Sequence, residues 1–303
     1  MINLGFALPQ FGSLAGQADQ VGRFAAEAER MGARSLWVGD RLLAPVHPKI
    51  GYAGATTFPA EFRASLDPLT LLTVAATATT SVTLGTAVLN LPWYAPAVVA
   101  RSLTTIDIVS GGRLLPGFGM GWSPEEYEAA GIPWQRRGAR LDESLDALEE
   151  IWGSTPAEYR GELVSVPRSH ADLRPVQRPR PPIYLGAMSE AALRRIGRRA
   201  DGWLPAVVIP RFFAPETFRA QREVIRRAAR EAGRGDREPA TVLRANVERG
   251  TSVAQIADAL HTMAERTGIS DMFVDLMYLA SDVDDALELA SRVLAAVRPT
   301  AER

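Results

Sequence analysis

Three glycines at alternate positions, Gly117, Gly119 and Gly121, are the first residues whose spacing suggests chemistry. They lie in the stretch GRLLPGFGMGWSPEEYEAAG. A dinucleotide-binding turn has the pattern G-x-G-x-x-G between a strand and a helix, and its third glycine would fall at Trp122 here. The following residues read as a helix start, with Ser123 as the cap and Glu126 completing a capping box. The glycines therefore precede the turn instead of forming it.

Read as a strand, the same stretch places its three glycines on one face, because successive side chains of a strand point to opposite sides. A strand face without side chains lets another body approach closely. That body is either a flat ligand in a barrel mouth or a packed neighbouring side chain, and the sequence leaves both open.

Small residues also end two other predicted strands. The stretch LGTAVLNLP has them before Val88 and Asn90, and IYLGAMSEAALRRIG has Gly186 and Ala187 before a helix that starts at Ser189. A helix N-terminus that begins among small residues presents free N–H groups, which suits a phosphate. An ordinary helix cap is the alternative for Ser189.

Other kinds of site find no support in the sequence. The chain has no cysteine and three scattered histidines, so neither a thiolate site nor a metal site is expected. Its net charge of -1 comes without a basic block, so we expect neither nucleic acid nor a membrane as a partner. No signal peptide is recognisable, and we expect a cytoplasmic protein.

Short β-rich runs alternate with amphipathic segments, an arrangement that favours repeated βα units. Eight strands are predicted: INLGFALP from Ile2, SLWVG from Ser35, VTLGTAVLN from Val82, RLLPGFGMG from Arg113, PIYLGA from Pro182, GWLPAV from Gly202, TVLRANV from Thr241 and DMFVDLMYL from Asp271. Helical patterns lie between them, including one that Gly32 ends and the last, VDDALELASRVLAAV. This pattern predicts an α/β fold, a (β/α)8 TIM barrel, as a single domain over residues 1–303. An open doubly wound sheet is the alternative.

Two connections are longer than a barrel needs, residues 41–65 after the second strand and residues 153–181 before the fifth. Long loops in compact domains are often functional lids. Because the loops after strands form the active-site face of a barrel, the first connection is expected on that face.

Four segments, taken in order, resemble the luciferase-like monooxygenase family of flavin- and deazaflavin-dependent oxidoreductases. They are LGFALPQFG, SLWVGDRL, the run from LGTAVLN to LDALEEIW, and PPIYLGAMSEAALRRIGRRADGWLPA, which together cover most of residues 2–206. The C-terminal third resembles the family only in its barrel pattern and the sequence DLMY. The similarity is greatest to the branch that uses coenzyme F420, a deazaflavin.

The resemblance implies where a cofactor would bind. In that branch the ring lies in the barrel mouth over a bulge of the third strand with a non-proline cis peptide, which would fall at Ala87–Val88 here. In the same branch, the turn that corresponds to the one after PIYLGA here binds the cofactor phosphate. The residues assigned to the cofactor are Ala87, Val88, Asn90, Gly119, Gly121, Trp122, Tyr127, Gly186, Ala187, Met188 and Ser189.

The family's acidic residue at the end of the second strand corresponds to Asp40, and its neighbour, often histidine in the family, is Arg41 here. We assign Asp40, Arg41 and His47 to catalysis; a loop salt bridge or cap is the alternative for the sequence GDRL. Members that oxidise sugar phosphates have a glutamate where Trp122 stands and a lysine that PAVVIP lacks. Oxidation of glucose 6-phosphate is therefore not expected.

A deazaflavin transfers hydride, so the protein must orient the substrate and supply a proton. His47 and Tyr127 could give a proton, and Arg41 could polarise a carbonyl; a surface or core position is the alternative for each. Apolar residues expected near the mouth, which suggest an apolar substrate unless they serve packing, are Trp93, Tyr94, Trp122, Phe58 and Phe62.

These inferences predict a coenzyme F420-dependent oxidoreductase that transfers hydride between the deazaflavin and an apolar small molecule. One alternative is an FMN-dependent monooxygenase that uses reduced flavin and oxygen. Another is a non-catalytic protein that binds flavin or F420. Family members usually dimerise through barrel helices, so the resemblance also implies a homodimer.

Overall fold

Strands and helices alternate along the chain as the sequence pattern predicts. The computed structural model describes residues 1–211, 213–236 and 238–298. Its strands are β1 (Asn3–Ala7), β2 (Ser35–Val38), β3 (Thr83–Thr86), β4 (Leu89–Asn90), β5 (Leu114–Leu115), β6 (Gly117–Gly119), β7 (Ala157–Arg160), β8 (Ser165–Ser169), β9 (Tyr184–Leu185), β10 (Gly202–Trp203), β11 (Ala206–Ile209), β12 (Ala240–Val247) and β13 (Asp271–Asp275). Its α-helices are α1 (Val21–Met31), α2 (Pro68–Ala78), α3 (Pro96–Val109), α4 (Pro124–Ala129), α5 (Arg137–Gly153), α6 (Glu190–Arg199), α7 (Pro215–Glu231), α8 (Val253–Thr267) and α9 (Val283–Val297).

The parallel strands pair into a closed ring. β1 pairs with β2 and β13, β2 with β3, β12 with β13, and β10 with β9 and β12. The ring continues where β3 pairs with β5, β4 with β6, and β6 with β9. Because only Ala87 and Val88 separate β3 from β4, and only Pro116 separates β5 from β6, these short strands are halves of two barrel strands. The predicted TIM barrel is confirmed, and the open sheet is wrong.

Three predicted strands are interrupted in the structure. Pro116 divides the fourth into β5 and β6, and Pro205 lies in the gap between β10 and β11. Proline has no N–H to donate to a neighbouring strand, so it ends regular pairing. The third strand is divided at Ala87 and Val88, whose peptide bond is cis. The resemblance implied a cis bond at this place, and that expectation is confirmed.

The helices end and pack as their sequences predict. Gly32 has a φ of 101°, and its N–H donates to the Ala28 carbonyl, so it ends α1 as expected. The last predicted helix is α9. The uncharged stretch of residues 68–100 folds as α2, β3, β4 and the start of α3. In the described ranges, no helix has the length and apolar character needed to span a bilayer.

The two long connections have different structures. Residues 153–181 contain an antiparallel hairpin of β7 and β8, which the sequence analysis did not predict. Its Val164 and Val166 pack with Ala147 of α5, so the hairpin covers a helix on the outside of the barrel. The connection of residues 41–65 contains two short 3-10 turns, and its last residue, Ser65, forms a bridge with Phe11 at the barrel mouth.

Candidate active site

A cavity of about 490 Å³ lies where the barrel strands end. Its size falls within the usual range for small-molecule sites, and this face carries the active sites of TIM barrels. The loop of residues 41–65 contributes Arg41, Tyr52 and Phe62 to its wall, whereas none of residues 153–181 lines it. The first long connection therefore helps to form the cavity, and the second does not.

Most residues that were assigned to the site from the sequence lie together on this cavity. Asp40 and Arg41 line it. From the cofactor group, the lining residues are Ala87, Val88, Asn90, Gly119, Gly121, Trp122, Gly186, Ala187, Met188 and Ser189.

His47 and Tyr127 do not line the cavity. His47 is exposed on the loop of residues 41–65. Tyr127 is fully buried, because the turn of α4 directs its ring into the helix layer, where its hydroxyl donates to the Met120 carbonyl. Burial raises the pKa of Tyr127 to about 12. The structure thus gives Tyr127 a packing position behind the wall and leaves His47 at the surface.

The glycine face of the fourth strand is filled mainly by neighbouring side chains. A Cβ added to Gly119 would lie 2.5 Å from Cγ2 of Val88, and one added to Gly186 would lie 2.6 Å from Cγ1 of the same valine. Gly117 is packed in the same way against Leu204. Gly121 lies beyond the strand with a φ of 71°, a conformation that favours glycine. The packed-neighbour interpretation therefore holds for Gly117. Gly119 packs against Val88 and also lines the cavity, so its assignment to the cofactor stays a prediction.

An arginine that the sequence analysis missed holds this floor. Nη1 of Arg244 donates to the carbonyl of Ala87 at 2.6 Å, the carbonyl of the cis peptide. Nη2 of Arg244 forms an ion pair with Asp275 at 2.7 Å, and its Nε donates to Asn246 at 2.9 Å. The alternating polar residues at the end of TVLRANV could have indicated it, because polar side chains at the carboxyl end of a barrel strand face the site.

Asp40 connects the end of β2 to β4. Its Oδ2 accepts from the backbone N–H of Asn90 at 2.8 Å, and both of its carboxylate oxygens lie 3.3 Å from the hydroxyl of Tyr94. Burial raises the pKa of Asp40 to about 7, against the opposing effects of the Asn90 N–H and the charge of Arg41. A carboxyl group whose pKa is raised toward neutrality is suited to proton transfer.

Arg41 is almost fully enclosed, and its Nη1 has no hydrogen-bond acceptor among the described residues. Its Nη2 lies 3.1 Å from Oε2 of Glu126, and its Nε donates to the Asp40 carbonyl at 3.1 Å. The central guanidinium carbon lies 4.6 Å from the ring centroid of Trp122 and 5.6 Å from that of Phe62. Burial lowers the pKa of Arg41, and Glu126 opposes that effect. Nη1 is buried; because Arg41 lines the cavity, a ligand oxygen could become its acceptor if the guanidinium turns toward the cavity.

Glu126 has a different role from the predicted capping box. The hydroxyl of Ser123 accepts from the Glu126 N–H, as predicted for an N-cap. The carboxylate does not return to the helix start, because it forms the ion pair with Arg41 and accepts from the N–H of Leu42 at 2.9 Å. Burial raises the pKa of Glu126, and the charge of Arg41 opposes that change. The capping box is therefore wrong in its second half, and Glu126 instead holds the residues that follow β2.

Some of the apolar residues expected near the mouth line the cavity, and the others pack behind its wall. Phe62 and Trp122 line the cavity. Phe58 packs against Trp122, with ring centroids 4.7 Å apart. Tyr94 binds Asp40, and Trp93 packs edge-on against Tyr127. The wall of the cavity is thus largely aromatic on the side of Arg41.

The opposite side of the cavity has features that fit a phosphate-bearing cofactor. Gly186, Ala187 and Met188 line the cavity and lead into the ten-residue helix α6, for which Ser189 is the N-cap residue. The Ser189 side chain makes no capping hydrogen bond, so the helix start keeps its own N–H groups available. No group of His, Asp and Glu suited to a metal ion occurs among the described residues.

Comparisons with known proteins agree with this architecture. The family model for luciferase-like monooxygenases matches residues 2–294. A phthiodiolone/phenolphthiodiolone dimycocerosates ketoreductase of Mycobacterium tuberculosis is 34% identical over 221 residues, which are 69% of this chain and 55% of that protein. The chain thus spans about half the length of the curated relatives to which it is similar.

Two solved structures share the fold at low sequence identity. An F420-dependent secondary alcohol dehydrogenase, in complex with an F420-acetone adduct, is 18% identical with a TM-score of 0.71, over 98% of this chain and 99% of that one. The oxygenating constituent of 3,6-diketocamphane monooxygenase from Pseudomonas putida, in complex with FMN, is 15% identical with a TM-score of 0.74, over 97% of both chains. At these identities the likeness concerns the fold.

Proposed function

The chain belongs to the luciferase-like monooxygenase family, and from that membership we propose that it uses coenzyme F420 to reduce a carbonyl group in an apolar small molecule. The observation that carries the proposal is Nη1 of Arg41, a buried donor that finds no acceptor in the described part of the chain and belongs to a residue that lines the cavity. A guanidinium donor suits an oxygen atom that gains negative charge during reaction. The aromatic wall beside it suits an apolar substrate.

The residues of the cavity fit a flat cofactor with a phosphate-bearing tail. Val88, lying low between Gly119 and Gly186, would support the ring, and the turn of residues 186–189 would hold the phosphate at the start of α6. When bound, the reduced deazaflavin supplies a hydride. Arg244 would keep the floor in place through the Ala87 carbonyl.

The side chains of this protein would perform the remaining tasks. Arg41 would bind the carbonyl oxygen, which makes the carbonyl carbon a better hydride acceptor. The carbonyl oxygen must also gain a proton to give an alcohol. Asp40 is our candidate for the donor, because it lines the cavity and its pKa is raised to about 7. The relative that is named as a ketoreductase agrees with carbonyl reduction.

Parallel titration of the purified protein with coenzyme F420 and with FMN tests the proposal. We expect quenching of cofactor fluorescence to give a submicromolar dissociation constant for F420 and much weaker binding of FMN, about tenfold or more. The reverse preference would favour the FMN-dependent monooxygenase. Tight F420 binding without hydride exchange, for any ketone in a panel of apolar compounds, would favour a non-catalytic cofactor-binding protein.

We also propose that a second copy of this chain covers α2 and α3, which pack against each other. α2 contains no charged residue, and the charged residues of α3 are Arg101 and the buried Asp107. Val98, Ile108 and Val109 of α3 are between 41% and 50% exposed. An outer helix face with so few charges and several exposed apolar side chains is typical of an interface.

Light scattering at micromolar concentration is expected to give twice the chain mass of 32.8 kDa. Val98→Glu should give the mass of one chain, because it would place a charge within the covered face. Leu173→Glu is the matched control, since Leu173 is also exposed but lies on the connection before β9. A monomeric mass for the natural protein would contradict the proposal.

A further inference from the structure

The buried pair of Arg41 and Glu126 indicates which charge a substrate of this cavity can carry. Glu126 is 0% exposed, and the side chain of Arg41 is 7% exposed. A buried charge is costly unless a partner of opposite charge lies close to it. Since the two side chains are 3.1 Å apart, each provides that partner for the other.

The contacts of the Arg41 side chain restrict how it can bind a ligand. Its Nη2 edge faces Glu126, its Nε donates to the Asp40 carbonyl, and a face of its guanidinium lies over Trp122. Nη1 remains as a buried donor for which residues 1–211, 213–236 and 238–298 provide no acceptor. A ligand oxygen can therefore accept a hydrogen bond from Nη1, but the positive charge of Arg41 is already balanced by Glu126.

The other charged groups of the cavity wall do not favour the binding of an anion either. Arg244 is paired with Asp275. Asp40 lines the cavity and adds negative charge when it is ionised. A substrate carboxylate or phosphate at Nη1 would thus lie near Glu126 and Asp40 without an unpaired cation to compensate for its desolvation.

From this arrangement we infer that Glu126 is a positioning residue that restricts the site to uncharged carbonyl substrates. It holds the side chain of Arg41 in place for a neutral carbonyl oxygen. Its negative charge also cancels the attraction of Arg41 for anions. The inference rests on the proposed carbonyl-reducing function and adds the substrate's charge to it. This role also accounts for the buried carboxylate of Glu126, which is not needed to cap its helix. Removing the charge of Glu126 should convert Arg41 into a site for a carboxylate.

Binding of acetophenone and of benzoate, a neutral ketone and a carboxylate of similar shape, provides the test. Calorimetric titration of the natural protein should show that acetophenone binds more tightly than benzoate. In Glu126→Gln we expect the affinity for benzoate to rise about tenfold or more relative to that for acetophenone, because the charge of Arg41 is no longer balanced. A change in stability alone would not change the ratio of the affinities for the two ligands.

Glu125→Gln is the matched control for this experiment. Glu125 lies beside Glu126 on α4 and also accepts from a backbone N–H of the 41–65 loop, that of Lys49 at 2.8 Å, but it does not line the cavity. Its variant should keep the order of the natural protein. The double variant Arg41→Gln/Glu126→Gln has neither charge and should lose the gain in benzoate binding; a gain that persists there would contradict its origin in the charge of Arg41.

Two results would overturn the inference. One is an unchanged ratio of the two affinities in folded Glu126→Gln. The other is tighter binding of benzoate than of acetophenone by the natural protein. Both readouts are equilibrium binding and need no turnover. Failure of the proposed function, by contrast, would appear as missing hydride exchange or missing F420 binding.

Discussion

Replacing Arg41 with leucine should lower kcat/KM for a ketone substrate by about 100- to 1000-fold, the usual effect of removing one donor to a developing oxyanion. Leucine keeps much of the apolar contact with Trp122 and Phe62 but has no N–H. Steady-state reduction of a ketone, followed by loss of the reduced cofactor, measures the effect. Cofactor affinity should stay close to that of the natural protein, because the residues assigned to the cofactor lie on other elements.

The control must separate the loss of the Arg41 donor from the destabilisation that a buried Glu126 carboxylate causes when its cation is removed. In Arg41→Leu/Glu126→Gln the residue at position 126 is no longer a carboxylate without its cation, and a glutamine can still accept from the Leu42 N–H, so the protein should unfold closer to the natural midpoint than the single variant. Its kcat/KM should nevertheless remain as low as in the single variant. Recovery of activity in the double variant would show that Arg41 acts only through Glu126 and not on the substrate.

Replacing Arg244 with methionine should lower the free energy of unfolding by about 3–5 kcal/mol, because the substitution leaves the carboxylate of Asp275 buried without its partner. The side chain of Asp275 is 4% exposed, and that of Arg244 is 19% exposed. The variant also loses the donor to the Ala87 carbonyl, so cofactor affinity should fall as well. Urea denaturation and the fluorescence titration measure the two effects.

The double variant Arg244→Met/Asp275→Asn distinguishes these effects. An uncharged Asp275→Asn side chain can still accept from the Met277 N–H, which Asp275 binds at 3.2 Å. We expect most of the lost stability to return, since no buried charge is left alone. Cofactor binding should stay weak, because the Ala87 carbonyl still lacks its donor. Restored cofactor binding would show that Arg244 acts on stability alone.

The barrel could be predicted from the sequence because its signals are local. β-rich runs alternate with helical patterns, and a single residue such as Gly32 is enough to end a helix. The hairpin of β7 and β8 was missed, because its strands are short and mostly exposed, with little alternation of apolar residues. Breaks at Pro116 and Pro205 could have been predicted, since proline cannot complete a strand pairing.

The cavity was predicted mainly through family resemblance, and its internal partners were not. No local pattern shows that Glu126 leaves its own helix for Arg41, 85 positions earlier in the chain, because the choice depends on burial. The same holds for Arg244 and the carbonyl of Ala87. The glycines illustrate the limit well: their spacing indicated a close approach, and only the fold identified Val88 and Leu204 as the neighbours.

The loop of residues 41–65 is held by two adjacent carboxylates that bind its main chain. Glu126 accepts from the N–H of Leu42, and Glu125 accepts from the N–H of Lys49. Every residue except proline offers such an N–H, so these attachments do not depend on the side chains between them. The loop can therefore exchange side chains while its attachments to α4 persist, which gives this barrel an inexpensive evolutionary route to new substrates.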